Sequence, residues 1–137
     1  MSKQTSTLPT RALGTTGMAI TRVGFGAWAI GGGGWAFAWG SQDDDESMAA
    51  MRHAVERGVN WIDTAAVYGL GHSEALVGKL LRDYPATDRP YVFTKCGLVW
   101  DSANPMTQAL RNAEAATLQR DSEQHPTHPG PEHLDPQ

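Results

Sequence analysis

Residues 59–81 read VNWIDTAAVYGLGHSEALVGKLL, and this stretch decides the architecture. Val59, Trp61 and Ile62 form an apolar lead into Asp63, which predicts a strand over 59–65. A short loop then carries Tyr68 between small residues and two glycines. Leu76, Val77, Leu80, Leu81 and Tyr84 recur at helical spacing on one face, with Ser73 expected as the cap. A strand ending in a carboxylate, a short loop and an amphipathic helix make one β/α unit.

The same unit repeats on either side. Upstream, Ser41 with Asp44, or Asp43 with Glu46, makes a capping-box-like start for a helix over 44–57. Its apolar face is Met48, Met51 and Val55, and Gly58 stops it. Before that, residues 10–30, TRALGTTGMAITRVGFGAWAI, predict a hairpin followed by a strand over Val23 to Ile30. Residues 31–40, GGGGWAFAWG, are expected to be a loop, since four consecutive glycines cost too much backbone entropy inside an element; the run 31–34 reads as mobile rather than as a backbone approach to a phosphate. Downstream, Pro85 to Pro90 reads as a turn and YVFTKCG as a third strand. Strand, helix, strand, helix, strand with apolar strands and short connections specifies a parallel α/β fold.

Composition divides the chain at residue 100. The 137 residues carry a net charge of −4. Residues 1–100 hold nine Lys/Arg against nine Asp/Glu, and residues 101–137 hold two against six, so the whole excess lies in the tail. Every Trp, Tyr, Phe, Val and Ile precedes Asp101. The domain plan is therefore a polar extension at 1–9, a β/α portion at 10–100, a helix at 101–120 and a disordered tail at 121–137. That helix would be capped by Asn104, with Pro105 in its first turn. No basic patch is present to draw nucleic acid. The polar start MSKQTSTLPT is not a signal peptide, no apolar run is long enough to span a bilayer, and the single Cys96 suits a reducing compartment. Cytoplasmic localisation follows as the expectation.

In parallel β/α folds, functional groups collect at the C-terminal ends of the strands. Asp63 ends the second strand, Tyr68 follows it, and Lys95 lies near the end of the third, so adjacent strands bring Asp63 and Lys95 within ion-pair reach. An ammonium near a phenol favours the phenolate, and a phenol so tuned can protonate a carbonyl oxygen while hydride attacks the carbon. Taken singly, Asp63 reads as a turn residue, Tyr68 as a surface aromatic and Lys95 as a solvating charge. Their joint appearance at consecutive strand ends favours a site.

These motifs carry a resemblance. RALGTTGMAITRVGFGAWAIGG, GVNWIDTAAVYGLGHSEALVGKLL and YVFTKCGL resemble the N-terminal hairpin and first strand, the Asp–Tyr signature and the lysine strand of the aldo-keto reductases, over about residues 10–100. The resemblance implies the N-terminal part of a (β/α)8 TIM barrel of about three β/α units, with NADP(H) as cofactor and a small carbonyl or sugar-like substrate. It implies Tyr68 as proton donor, with Lys95 and Asp63 tuning it. It places Gly26, Ala27, Trp28 and Asp63 beside the nicotinamide half of the cofactor.

The chain departs from the family after residue 100. EAATLQR resembles part of the third helix and EHLD at 132–135 the entry to the fourth strand, but the sequence ends before the family's fourth catalytic residue, a histidine. His125 imitates that pattern without an apolar strand before it. A frameshift or premature stop near 101–120 would account for this, and the isolated chain is then expected to be inactive. The rivals are a cofactor-binding or regulatory module, as in potassium-channel β subunits of this fold, and a remnant that does not fold alone. GFGAWA at 24–29 fits G-x-G-x-x-A but opens no helix, so a dinucleotide-binding Rossmann domain is set aside. His125, His128 and His133 read as tail residues rather than a metal site, and Cys96 as a packed strand residue.

Overall fold

The computed structural model describes residues 8–101, 103–106 and 110–111. Asp43 starts the first helix, its side chain accepting the Glu46 N–H at 2.9 Å. Helix α1 runs Asp44–Glu56 with three acidic residues in its first turn, where the helix dipole favours them. Met48 and Met51 are buried, with Val55 packed at the core's edge.

Helix α2 runs His72–Arg82 and buries Leu76, Val77 and Leu80. It departs from expectation at its start. Ser73 lies inside the helix and is not its cap; the cap position is Gly71 and carries no side-chain hydrogen bond. The helix starts early because a 3-10 turn over Tyr68–Gly71 feeds straight into it, and the Ser73 hydroxyl has partners elsewhere.

The strands are short. β1 (Thr10–Ala12) and β2 (Ala19–Thr21) form the expected antiparallel hairpin. β3 (Phe25–Gly26), β4 (Trp61–Asp63) and β5 (Tyr91–Phe93) form a three-stranded sheet in that order. Both pairings are parallel, with Gly26 opposite Asp63 and Asp63 opposite Phe93. The strand expected over Val23 to Ile30 is thus cut to two residues, and Ala29–Gly31 curls into a 3-10 turn. The Ala27 N–H still reaches the Asp63 carbonyl at 2.8 Å, but the Ala27 carbonyl is taken by Ser73, so the ladder ends there. Ala27, Ile30 and Ile62 join the helix residues in one core. Burying each large aliphatic side chain contributes about 1.5–3 kcal/mol.

Among the described residues beyond 97, Asn104 and Leu110–Arg111 depart from the expected helix. β6 (Leu98–Val99) pairs antiparallel with β7 (Leu110–Arg111). Asn104, expected as a helix cap, instead donates its side-chain amide to Asp101 at 2.8 Å, and Asp101 also accepts the Ala103 N–H at 2.9 Å. Local side-chain bonds of this kind compete with helix formation. Residues 1–7 of the expected extension over 1–9, residues 102, 107–109 and 112–120 of the expected helix, and the tail at 121–137 lie outside the described residues.

Candidate active site

The ladder between β4 and β5 continues past the last strand residues. The Thr64 N–H reaches the Phe93 carbonyl at 2.8 Å and the Ala66 N–H reaches the Lys95 carbonyl at 3.2 Å. That register sets the Lys95 and Asp63 side chains side by side. Lys95 Nζ donates to Asp63 Oδ1 at 2.5 Å and to the Thr64 carbonyl at 3.0 Å, and lies 3.4 Å from the Tyr68 hydroxyl. Its ammonium also sits 5.2 Å from the centre of the Tyr68 ring, within cation–π range.

Tyr68 is placed by its turn and by an aromatic neighbour. Its N–H bonds the Ala65 carbonyl at 3.1 Å, and two residues later Leu70 adopts a φ of 54°. Leu70 thus lies in the left-handed region that branched residues rarely enter. The Tyr68 ring stacks on Trp28, with centroids 5.8 Å apart and planes 7° apart. Trp28 is held in turn by its indole N–H on the Phe37 carbonyl at 3.1 Å. Gly31 and Gly69 pass so closely that a Cβ on either would strike the other's backbone. The loops after β3 and β4 are therefore locked together at the point that presents Trp28 to Tyr68.

The electrostatics centre on Lys95. Partial burial pulls its ammonium down; the hydrogen bonds and charges of Asp63 and Tyr68 outweigh that, and its pKa ends above the ordinary lysine value. The lysine therefore stays charged, and the Lys95–Asp63 pair remains half open to solvent, with side-chain exposures of 52% and 38%.

Asp63, Tyr68 and Lys95 thus converge, with Trp28 against Tyr68. Gly26 lies at the exposed end of β3, paired with Asp63. Ala27 is fully buried in the core, with both backbone groups engaged beneath the site. Cys96, expected to pack in the strand, is exposed because β5 ends three residues before it. His125, His128 and His133 lie outside the described residues. The Thr64 carbonyl as a third partner of Lys95 was not foreseen; only the three-dimensional register of β4 on β5 discloses it. Trp39, 71% exposed and 5.4 Å from Trp28, was also missed, although its place in an aromatic-rich glycine loop beside a strand end is a usable signal. Among the described residues, no helix is long and apolar enough to cross a membrane.

Comparison with known proteins gives a consistent result. The model of the aldo/keto reductase family matches residues 22–124. The chain is 35% identical over 107 residues to an aldo-keto reductase of Bacillus subtilis, covering 78% of this chain and 30% of that protein. It is 37% identical over 123 residues to the NADH-specific methylglyoxal reductase of Escherichia coli, covering 79% and 36%. Among solved structures, glycerol dehydrogenase from Gluconobacter oxydans superposes with a TM-score of 0.70 at 36% identity, over 83% of this chain and 33% of that one. The chain spans about a third of the length of these relatives. Its three parallel strands with their helices are a portion of such a barrel.

Proposed function

The chain belongs to the aldo/keto reductase family, and on that premise we propose that it carries the proton-donating side of an NADP(H)-dependent carbonyl reductase site. The observation that carries the reading is the convergence of Lys95 on both Asp63 and the Tyr68 hydroxyl. Tyr68 is the proton donor to the carbonyl oxygen. Lys95, held charged by Asp63, stabilises the phenolate left behind. A small carbonyl or sugar-like compound is the substrate, in keeping with relatives named for methylglyoxal and L-galactose.

The residues present fit a nicotinamide cofactor, which when bound supplies the hydride. Gly26 faces open space, since a Cβ there meets nothing within 4 Å. Trp28 is 40% exposed and offers an aromatic wall. Asp63 uses one carboxylate oxygen on Lys95 and keeps the other for a ribose hydroxyl. Gly26, Trp28 and Asp63 therefore line the cofactor's place, with Ala27 supporting it from the core.

The test is a thermal melt of the 137-residue chain, followed by circular dichroism, with and without excess NADPH or NADH. NADPH at a hundred times its Kd adds about 2.7 kcal/mol to the folded state, so the transition is expected to rise, and to rise less in Asp63→Ala. A cooperative melt that neither cofactor moves would sink the reading. Carbonyl-dependent NADPH oxidation is expected to be absent from the chain by itself, because Lys95 and Asp63 stand half in water and hydride transfer needs an enclosed site. Turnover that Tyr68→Phe abolishes would instead assign the whole reaction to these residues.

A further inference from the structure

We propose that Ser73 and Glu74, neighbours in the first turn of α2, are positioning residues that fix the ends of β3, β4 and β5 relative to one another, and so set the geometry of Asp63, Tyr68 and Lys95. Both side chains are polar and almost wholly buried: Ser73 is 0% and Glu74 3% exposed. Burying such groups is unfavourable unless each is bonded, and the bonds they make lead to the three strand ends in turn.

Ser73 serves β3 and β4. Its hydroxyl donates to the Ala27 carbonyl at 2.8 Å. A serine has one hydroxyl proton, so in its 3.0 Å contact with Thr64 Thr64 must be the donor. The result is a directed chain from β4 through α2 to β3. Each end of that chain touches the site. The Thr64 carbonyl accepts from Lys95, and Ala27 precedes Trp28, which stacks on Tyr68.

Glu74 serves β5. Its carboxylate accepts the Thr94 hydroxyl at 2.5 Å, and Thr94 is the residue before Lys95. One helix turn therefore holds a residue adjoining each of Trp28, Asp63 and Lys95. A capping role does not explain Ser73, and the first-turn placement of Glu74, which the helix dipole favours, does not by itself account for its bond to Thr94. Ser73 caps nothing, and in a region that buries Leu76 and Val77 an apolar side chain would fill the space at lower cost.

The significance of this staple rests on the reductase reading above, but its test does not involve cofactor or turnover. The full chain would be labelled with 13C and 15N at its three lysines, with Lys95 assigned by its loss in Lys95→Arg. Water exchange of the Lys95 ammonium protons would then be measured near pH 6. Ser73→Ala and Thr94→Val each remove a tie, and each is expected to speed that exchange about two- to tenfold, the factor of one hydrogen bond. Glu74→Gln keeps an acceptor for Thr94 and is expected to stay near the parent rate.

Either tie-breaking variant that melts cooperatively while the Lys95 exchange rate stays unchanged would reduce the pair to ordinary core polar residues and overturn the proposal. If Ser73→Ala, at a wholly buried position, does not melt cooperatively, Thr94→Val at its half-buried position decides on β5 alone. The expected exchange pattern without any NADPH-induced rise in the melt would overturn the cofactor reading and leave the positioning role standing. The reverse pair of results would do the opposite.

Discussion

The two ends of the β3–β4–β5 sheet are built from similar residue types and put to opposite use. At the N-terminal end, Thr21 is 1% exposed and all its polar groups are engaged. Its N–H donates to Asn60 Oδ1 at 2.8 Å, its hydroxyl to the Val23 carbonyl at 2.6 Å, and its carbonyl accepts the Trp61 indole N–H at 2.8 Å. Asn60 also donates its side-chain amide to the Ala19 carbonyl at 2.9 Å. Every partner is neutral, and the hairpin plugs the end. At the C-terminal end Lys95 and Asp63 form an ion pair that solvent reaches, and Lys95 also meets the Thr64 carbonyl and the Tyr68 hydroxyl. Neutral bonds to backbone keep their value when buried, whereas a buried ion pair must first offset its desolvation. One end is suited to stability, the other to chemistry.

The contrast is tested most severely at Gly24. A Cβ there would fall within the Trp61 indole, a rigid ring that its bond to the Thr21 carbonyl holds in place. Gly24→Ala is therefore expected to destabilise the chain by about 3 kcal/mol, combining overpacking with a lost hydrogen bond. Urea unfolding gives the value; a loss below about 1 kcal/mol would show that the plug is loose. Asn60→Ala comes next. It strips the partner from the Thr21 N–H and from the Ala19 carbonyl, which at about 1 kcal/mol each predicts a loss of about 2 kcal/mol. A loss as small as that of a surface substitution would erase the distinction between the two ends.

Much of the C-terminal end is legible in the sequence, and little of the N-terminal end is. Asp63 and Lys95 can be paired on paper because parallel neighbours in register bring equivalent strand ends together, and the apolar runs before each mark where those ends lie. The helices are legible for a similar reason: Met48, Met51, Leu76, Val77 and Leu80 repeat with the helical period. Thr21 and Asn60 are 39 residues apart and carry no period, so nothing local announces their bond. The same blindness explains Ser73. Its position just before the apolar helical run reads as a cap, and only the approach of Ala27, 46 residues away, shows where its hydroxyl goes. The two-residue length of β3 also escapes sequence reading, since what stops it is that same bond. After Val99, the pairing of β6 with β7 overrides a local pattern that favours helix.

The smallest expected effect separates the ends most clearly. Lys95→Met removes an ion pair, two further contacts and a cation–π neighbour, a longer inventory than Asn60 loses. Its cost should nevertheless stay below about 1 kcal/mol, because a half-exposed pair gains little over its hydrated parts. The pH dependence gives the sign. Burial lowers the Lys95 pKa, Asp63 and Tyr68 raise it further, and the net shift is upward from 10.5. A raised pKa means that the folded state binds the proton more tightly, so the stabilisation is complete below about pH 10 and is lost as pH rises through the folded value. The stability difference between parent and Lys95→Met should thus be flat from pH 6 to 9 and shrink above 10.5. The Asn60→Ala difference, which involves no titrating group, should show no such decline. A Lys95→Met cost equal to that of Asn60→Ala would mean that the site end also holds the fold together, and the division of labour between the two ends would fail.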